Sequence, residues 1–283
     1  MSDKGRPGVH LVGFYSGDLD IAAGLAALTA VADSVMARSG TTGLVPSRDM
    51  EIAAAYTGGA IAAGGSPLKR ARISAPTLAQ VIAPGIRPLG SAASPPSDPP
   101  LMTLVDHPLP LPAGEAVTVV AEATANDTIV AALLFLRERF DPAPPGPVYV
   151  LRGATPAAGA TSPVSATWTP ILLDWDQPLP AGRYAIVWLQ YVVPVEASSR
   201  AIAARLVLAD QVLRPGTLAQ ATTSDIPNRQ MQDGVFGVLG TFESFAMPTV
   251  EVLNIGATPS TTAEISLGLI RLTDAQGRPC TCS

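Results

Sequence analysis

From about residue 40 onward the chain alternates short apolar runs with turn-forming clusters. Typical runs are MEIAAAY (50–56), RARIS (70–74), EAVTVVAEA (115–123) and TIVAALLFL (128–136). VYVLRG (148–153), TPILLDW (169–175), RYAIVWLQYVV (183–193) and AIAARLVLA (201–209) follow, then VFGVLGTFE (235–243), TVEVLNIG (249–256) and AEISLGLIRL (263–272). These lengths and their Val, Ile and aromatic content predict β-strands. Pro-rich loops such as SAASPPSDPP (91–100) and DPAPPGP (141–147) separate them. There is no βα alternation, so a sandwich, barrel or jelly roll is expected. Ile21 to Ala37 is the exception: its Ala and Leu favour a short peripheral helix over a strand pair. It is too short to span a bilayer and is broken by Asp33.

The strand pattern repeats. VTVVAEATANDTIVAALLFLRE (117–138) aligns without gaps to EVLNIGATPSTTAEISLGLIRL (251–272), an offset of 134 that sets Leu133 on Leu267 and Arg137 on Arg271. Ala71-Arg72-Ile73 matches Ala204-Arg205-Leu206 at offset 133, and 51–56 matches 183–188 at 132. Ile86-Arg87-Pro88 resembles Leu213-Arg214-Pro215 at offset 127. Matches in one order near one offset predict two copies of one fold. The expected domains are residues 1–143, with an arm or helix over 1–40, and residues 144–283, with a mobile tail over 275–283. Leu-Pro-Ala-Gly recurs at 111–114 and 179–182, offset 68, which reads as shared turn chemistry before a strand.

Composition adds a constraint. Charged residues are 14% of the chain, against roughly 25% in ordinary soluble domains. Apolar residues are 47% and mean hydropathy is +0.31. A dispersed monomer needs a charged, patch-free surface, so neighbouring subunits are expected to cover much of this one. An Ala-rich composition inflates both figures and is the plain alternative. The 28 prolines, about twice the usual ~5%, break long helices and suit short strands. Net charge is −5, and the N-terminus offers only Lys4 and Arg6. Without a basic stripe, strong direct nucleic-acid binding is not expected.

Little in the chain suggests chemistry. His10 and His107 are the only histidines. His107 follows Asp106, which could make half of a triad, but no Gly-x-Ser-x-Gly elbow accompanies it, and a turn before Pro108 is the expected role. Replacing His10 and His107 with Ala is expected to leave particle assembly intact. Gly58, Gly59, Gly64 and Gly65 lack a phosphate-binding Lys and read as turns. Asp174 and Asp176 share one strand face and could take Ca²⁺ with backbone carbonyls, although a solvated strand end is the commoner case. Glu115, Glu122, Glu138 and Asp141 are scattered. Trp168, Trp175, Trp188 and Tyr191 could stack on sugar, but core or subunit packing is favoured. Cys280 and Cys282 are too few for a disulfide framework or a structural zinc site; a mobile tail in a reducing compartment is expected. The opening MSDKGRPGVHLVGFYSGD lacks the order of a signal sequence. No catalytic, cofactor or metal residues are therefore assigned, and an enzyme is not expected.

LPAGRYAIVWLQ (179–190), AIAARLVLADQVLRPGTL (201–218), GVFGVLGTFE (234–243), PTVEVLNIGA (248–257) and RARISAPTLAQVIAPGIRPL (70–89) carry a resemblance. With two β-rich halves and few charges, the chain resembles, over roughly residues 45 to 275, the double jelly-roll major capsid proteins of tailless icosahedral, finnlakevirus-like phages. The resemblance implies an all-β fold of two tandem jelly-roll sandwiches and a virion protein assembled in the bacterial cytoplasm. It also implies homotrimeric pseudo-hexagonal capsomers that contact one another, penton or spike proteins and an underlying lipid membrane. A trimeric receptor-binding spike and a carbohydrate-binding β-sandwich are the alternatives.

Overall fold

The computed structural model describes residues 8–60, 68–78, 86–89, 92–93, 102–156, 164–193, 201–221, 236–254 and 264–280. Lys4, Arg6, Gly64, Gly65, Cys282 and most of loop 91–100 lie outside the described residues. The described chain is all-β. Its first half contains β1 (Val9–Leu19), β2 (Ala26–Ala27), β3 (Thr29–Ala30), β4 (Ala37–Ser39), β5 (Gly43–Val45), β6 (Met50–Ala60) and β7 (Leu68–Ser74). It continues with β8 (Ile86–Leu89), β9 (Ala92–Ala93), β10 (Met102–Thr103), β11 (Leu109–Leu111), β12 (Thr118–Ala123) and β13 (Thr128–Arg137). After the Pro-rich 141–147 segment come β14 (Tyr149–Ala154), β15 (Trp168–Ile171), β16 (Asp174–Trp175), β17 (Arg183–Val193) and β18 (Ala201–Val207). The last are β19 (Gly216–Ala221), β20 (Gly240–Glu243), β21 (Thr249–Asn254) and β22 (Glu264–Arg271).

The same pairing order occurs in both halves. The first half has β11-β6-β13-β1 in one sheet and β2-β12-β7-β8 in another. The second half has β20-β17-β22-β14 and β15-β21-β18-β19. Each half also contains a parallel strand contact, Gly58 with Ala92 and Tyr191 with Ala219, and in the second half β19 joins the two sheets by pairing with both β17 and β18. The repeated Leu-Pro-Ala-Gly turns end in Gly114 and Gly182, at φ +81° and +152°. A Cβ on Gly182 would lie 2.1 Å from the Thr273 carbonyl oxygen, so only glycine fits there.

The expected helix over Ile21–Ala37 does not form. A single 3₁₀ turn, Ile21–Ala23, ends at Gly24 with φ +60°. The chain then crosses between sheets: β2 pairs with β12, and β3 pairs with β1. Leu28, between them, is fully buried and donates its N–H to the Val119 carbonyl at 2.8 Å. Pairing on both sheets and burial of Leu28 override the helix propensity of the alanines.

The predicted register of the repeat also needs correction. Leu133 and Leu267 lie on corresponding strands, each between the third and first main strands of its half. They point to opposite faces. Leu134, not Leu133, sits in the interior of the first half, opposite Val12 and Ala55. Leu267 sits inside the second half, opposite Leu151 and Leu189. The structural offset there is 133, matching Ala71 with Ala204, and not 134. In β12 and β21 it is 131, because Ile73 faces Val119 as Leu206 faces Val250. With a side-chain period of two, a one-residue slip exchanges the faces. The identities Ala123 with Ala257, Thr124 with Thr258 and Thr128 with Thr262 favoured the slipped alignment.

The halves share a core. On β13, Val130, Ala132, Leu134 and Leu136 pack with Ile73, Val119 and Ala121 of the facing sheet. The alternate residues Ala131, Leu133 and Phe135 join a cluster that includes Ala203, Leu253 and Phe236 of the second half. Phe135 stacks on Phe236 with ring centroids 5.7 Å apart. A Cβ on Gly13 would lie 2.8 Å from Leu253 Cδ2. The β1-bearing sheet therefore lies against the β18-bearing sheet, and four β layers stack in series. Removing Leu133 opens a cavity in the middle of that stack. Leu133→Ala should cost about 2–5 kcal/mol and lower the midpoint of one shared transition in denaturant unfolding. Two separate transitions, with only one sensitive to Leu133, would contradict the shared core.

Candidate functional site

The most developed polar constellation joins the two halves. Arg205 lies on the face of β18 that meets the first half, and its side chain is 2% exposed. Its Nε donates to Glu251 Oε2 at 2.7 Å, and its Nη1 reaches Asp33 Oδ2 and the Leu11 carbonyl. The guanidinium also lies over the Trp168 ring, 4.2 Å from its centroid. Arg214 Nη1 donates to both Glu251 oxygens at 2.7 Å. The cluster thus sets two guanidinium cations against two carboxylates.

Asp33 is placed by a local turn. Its Oδ1 accepts the N–H groups of Val35 at 2.7 Å and Met36 at 2.9 Å, an Asx-type arrangement. The same oxygen accepts from His10 Nε2 at 3.1 Å. Burial pushes the Asp33 carboxyl up, but the His10 hydrogen bond and the Arg205 charge outweigh it and hold Asp33 well below the usual carboxylate range.

His10 is fully buried, and its Nδ1 accepts the Arg214 backbone N–H at 3.1 Å. Its proton is therefore assigned to Nε2, facing Asp33. With both ring nitrogens engaged, the imidazole has no lone pair free for a substrate. The His10–Asp33 pair lies on the first-half side of the seam, and it is tied to the second half through the Arg214 N–H and Arg205. His10 thus has a packing role that the sequence reading did not assign.

The remaining candidates are dispersed. Asp106 and His107 lie exposed in a turn, where the His107 N–H bonds the Leu104 carbonyl at 3.0 Å. Glu115 accepts from Thr77, Glu122 from Lys69 and Arg70, and Asp141 lies beside Arg139; with Glu138 these carboxylates form no dyad. Gly58 is a β6 residue paired with Ala131. Trp168 stacks on Arg205, Trp175 packs over Gly153, and Tyr191 is buried in the second-half core. Trp188 covers Gly268. The four aromatics therefore share no sugar-binding face. Asp174 and Asp176 line an open groove of about 360 Å³ with Arg152 and Glu264. Cys280 is an exposed free thiol.

Sequence reading missed the Arg205 cluster. It also missed Asp18, Asp20 and Asp127, exposed carboxylates whose oxygens lie within 4.8 Å of one another. Among the described residues, no helix is long and apolar enough to cross a membrane. No protein-family model, curated protein or solved structure matches the chain.

The cluster's worth can be measured. Arg205→Ala leaves Asp33 buried without its cation and should cost about 3–5 kcal/mol. His10→Ala removes one hydrogen-bond partner and should cost about 1–3 kcal/mol. Asp33 is held below its unfolded value near 3.9, so its contribution is present above that pH and is lost as pH falls through it. The unfolding midpoint should therefore drop between about pH 5 and pH 2, and Asp33→Asn should flatten that slope. An unchanged slope in Asp33→Asn would show that other carboxylates control acid stability.

Proposed function

We propose that this chain is a structural virion protein, the major capsid protein of a tailless icosahedral phage, built as a double jelly roll. One observation carries the reading. Counting the eight main strands of each half in chain order, one sheet runs sixth-third-eighth-first and the other second-seventh-fourth-fifth, in both halves. This order supports the jelly-roll reading of each half, and two copies in tandem are the plan of such tiles. A trimer of two-domain chains presents six similar edges to its neighbours, and heterologous contacts of this kind propagate into a closed shell. Low charge and exposed apolar side chains agree with permanent lateral contacts: Phe245 is 87% exposed and Leu172 65%. The engagement of both His10 nitrogens agrees with a structural role. On this reading the main partners are further copies of the chain.

Light scattering and electron microscopy of the purified protein test the reading. Species of three chains, together with hexagonal sheets or closed shells, are expected. Slender trimers without lateral contacts would favour a spike. A persistent 29.0 kDa monomer would end the shell-building reading.

A further inference from the structure

The four-layer stack ends in two open sheet faces, and the contact between its halves indicates how they are used. Inside the chain, the outer face of β18 and β21 lies on the outer face of β1 and β13. Among the described residues the corresponding pair is unpartnered: the outer face of β7 and β12 at one end, and that of β14 and β22 at the other. We infer that these two faces bind each other between successive copies of the chain, head to tail, repeating the intrachain contact. This inference rests on the capsid reading and specifies its interface.

The repeat places individual residues. Arg70 pairs with Glu122 where Ala203 pairs with Leu253, and Arg72 pairs with Val120 where Arg205 pairs with Glu251. On the opposing face, Val31 donates its N–H to the Gly13 carbonyl at 2.9 Å, and Asp176 donates to the Arg152 carbonyl at 2.8 Å. Phe14 pairs with Ala30 as Gly153 pairs with Trp175. Asp176 thus occupies the place of Val31, and Arg152 the place of Gly13. Within the chain, Leu253 meets Gly13 and Val31. Between chains, Glu122 takes the place of Leu253, facing Arg152 and Asp176, and Arg70 lies beside it.

The two faces are complementary in charge. Among the described residues, the β7–β12 face carries Lys69, Arg70 and Arg72 against the carboxylate of Glu122. The β14–β22 end carries Asp174, Asp176 and Glu264 against the single guanidinium Arg152, around the open groove. Half-buried Trp188 and exposed Val150 supply apolar surface on the second face. Three cations on one side and three carboxylates on the other favour a head-to-tail contact over a face meeting its own copy. A heterologous contact of this kind makes a ring when its rotation closes.

Charge reversal tests the inference. Asp174→Lys with Asp176→Lys makes the second face cationic like the first. Lys69→Glu with Arg70→Glu makes the first face anionic like the second. Each double variant should lose assembled species in light scattering at moderate salt, by at least tenfold in the concentration required. The four changes together should restore assembly, which a merely structural defect would not do. Glu122→Cys with Arg152→Cys, in a chain with Cys280→Ser and Cys282→Ser, gives an independent readout. Those positions lie at opposite ends of one chain, so oxidation should yield disulfides between chains. If the wild-type protein assembles while both double variants assemble equally well and no crosslink forms, the inference is overturned and the capsid reading stands. If the wild-type chain never exceeds 29.0 kDa, both fail.

Discussion

The structure depends on one sheet being buried on both faces. β13 shows this directly: its side chains alternate between two apolar clusters, and neither side reaches water. A strand of this kind cannot be stable in an isolated sandwich, because one row of Leu and Phe would lie bare. The second half supplies the cover. The two halves are therefore joined by a common core as well as by the 141–147 linker, and the small residues along the seam follow from that. Gly13, Gly216, Ala203 and Ala54 let the sheets approach; a Cβ on Gly216 would lie 2.5 Å from Leu11 Cδ2.

Apolar contact between two sheets is weakly directional, and it tolerates sliding. The Arg205 cluster removes that freedom. Its ligands come from both halves: Asp33, His10 and the Leu11 carbonyl from one, Glu251 and Arg214 from the other. Burying four charges is costly, and a well-packed apolar substitute is often as stable. What the cluster adds is register, since a shift of one residue along β18 would leave Arg205 unpaired in the core. The close balance of two cations and two carboxylates limits the desolvation cost, and the ring of Trp168 takes the remaining guanidinium face.

Much of this was legible in the sequence at the level of elements. Alternation and turn chemistry located the strands, and the Leu-Pro-Ala-Gly turns behaved alike because each requires a glycine beyond the reach of other residues. The near-constant offset pointed to corresponding strands. Alignment failed at the level of faces, where alanine carries no signal and one residue of slip inverts inside and outside. The 21–37 segment misled for a related reason: its alanines prefer helix alone, but Leu28 is pulled into a corner by β12, more than 90 residues away in sequence. The ion-pair cluster was invisible because its members are spread from His10 to Glu251. No local spacing links Asp33 to Arg205, 172 residues apart. The only trace was Arg205 itself, a charge within an otherwise apolar strand.

The two ends of the stack differ from its middle in the chemistry of their surfaces. Around the Arg205 cluster, the contact formed during folding of one chain is apolar, because its surfaces never face water once folding is done. Gly13, Val31, Ala203 and Leu253 make such a contact. The corresponding positions at the ends carry Arg152, Asp176, Arg70 and Glu122. Those faces are wet in the free chain, and charge keeps them soluble until another surface arrives. Charge also sets which surface that is, since unlike faces attract and like faces repel. A repeated fold can thus use one geometry twice, apolar where the partner is tethered and polar where it must be found.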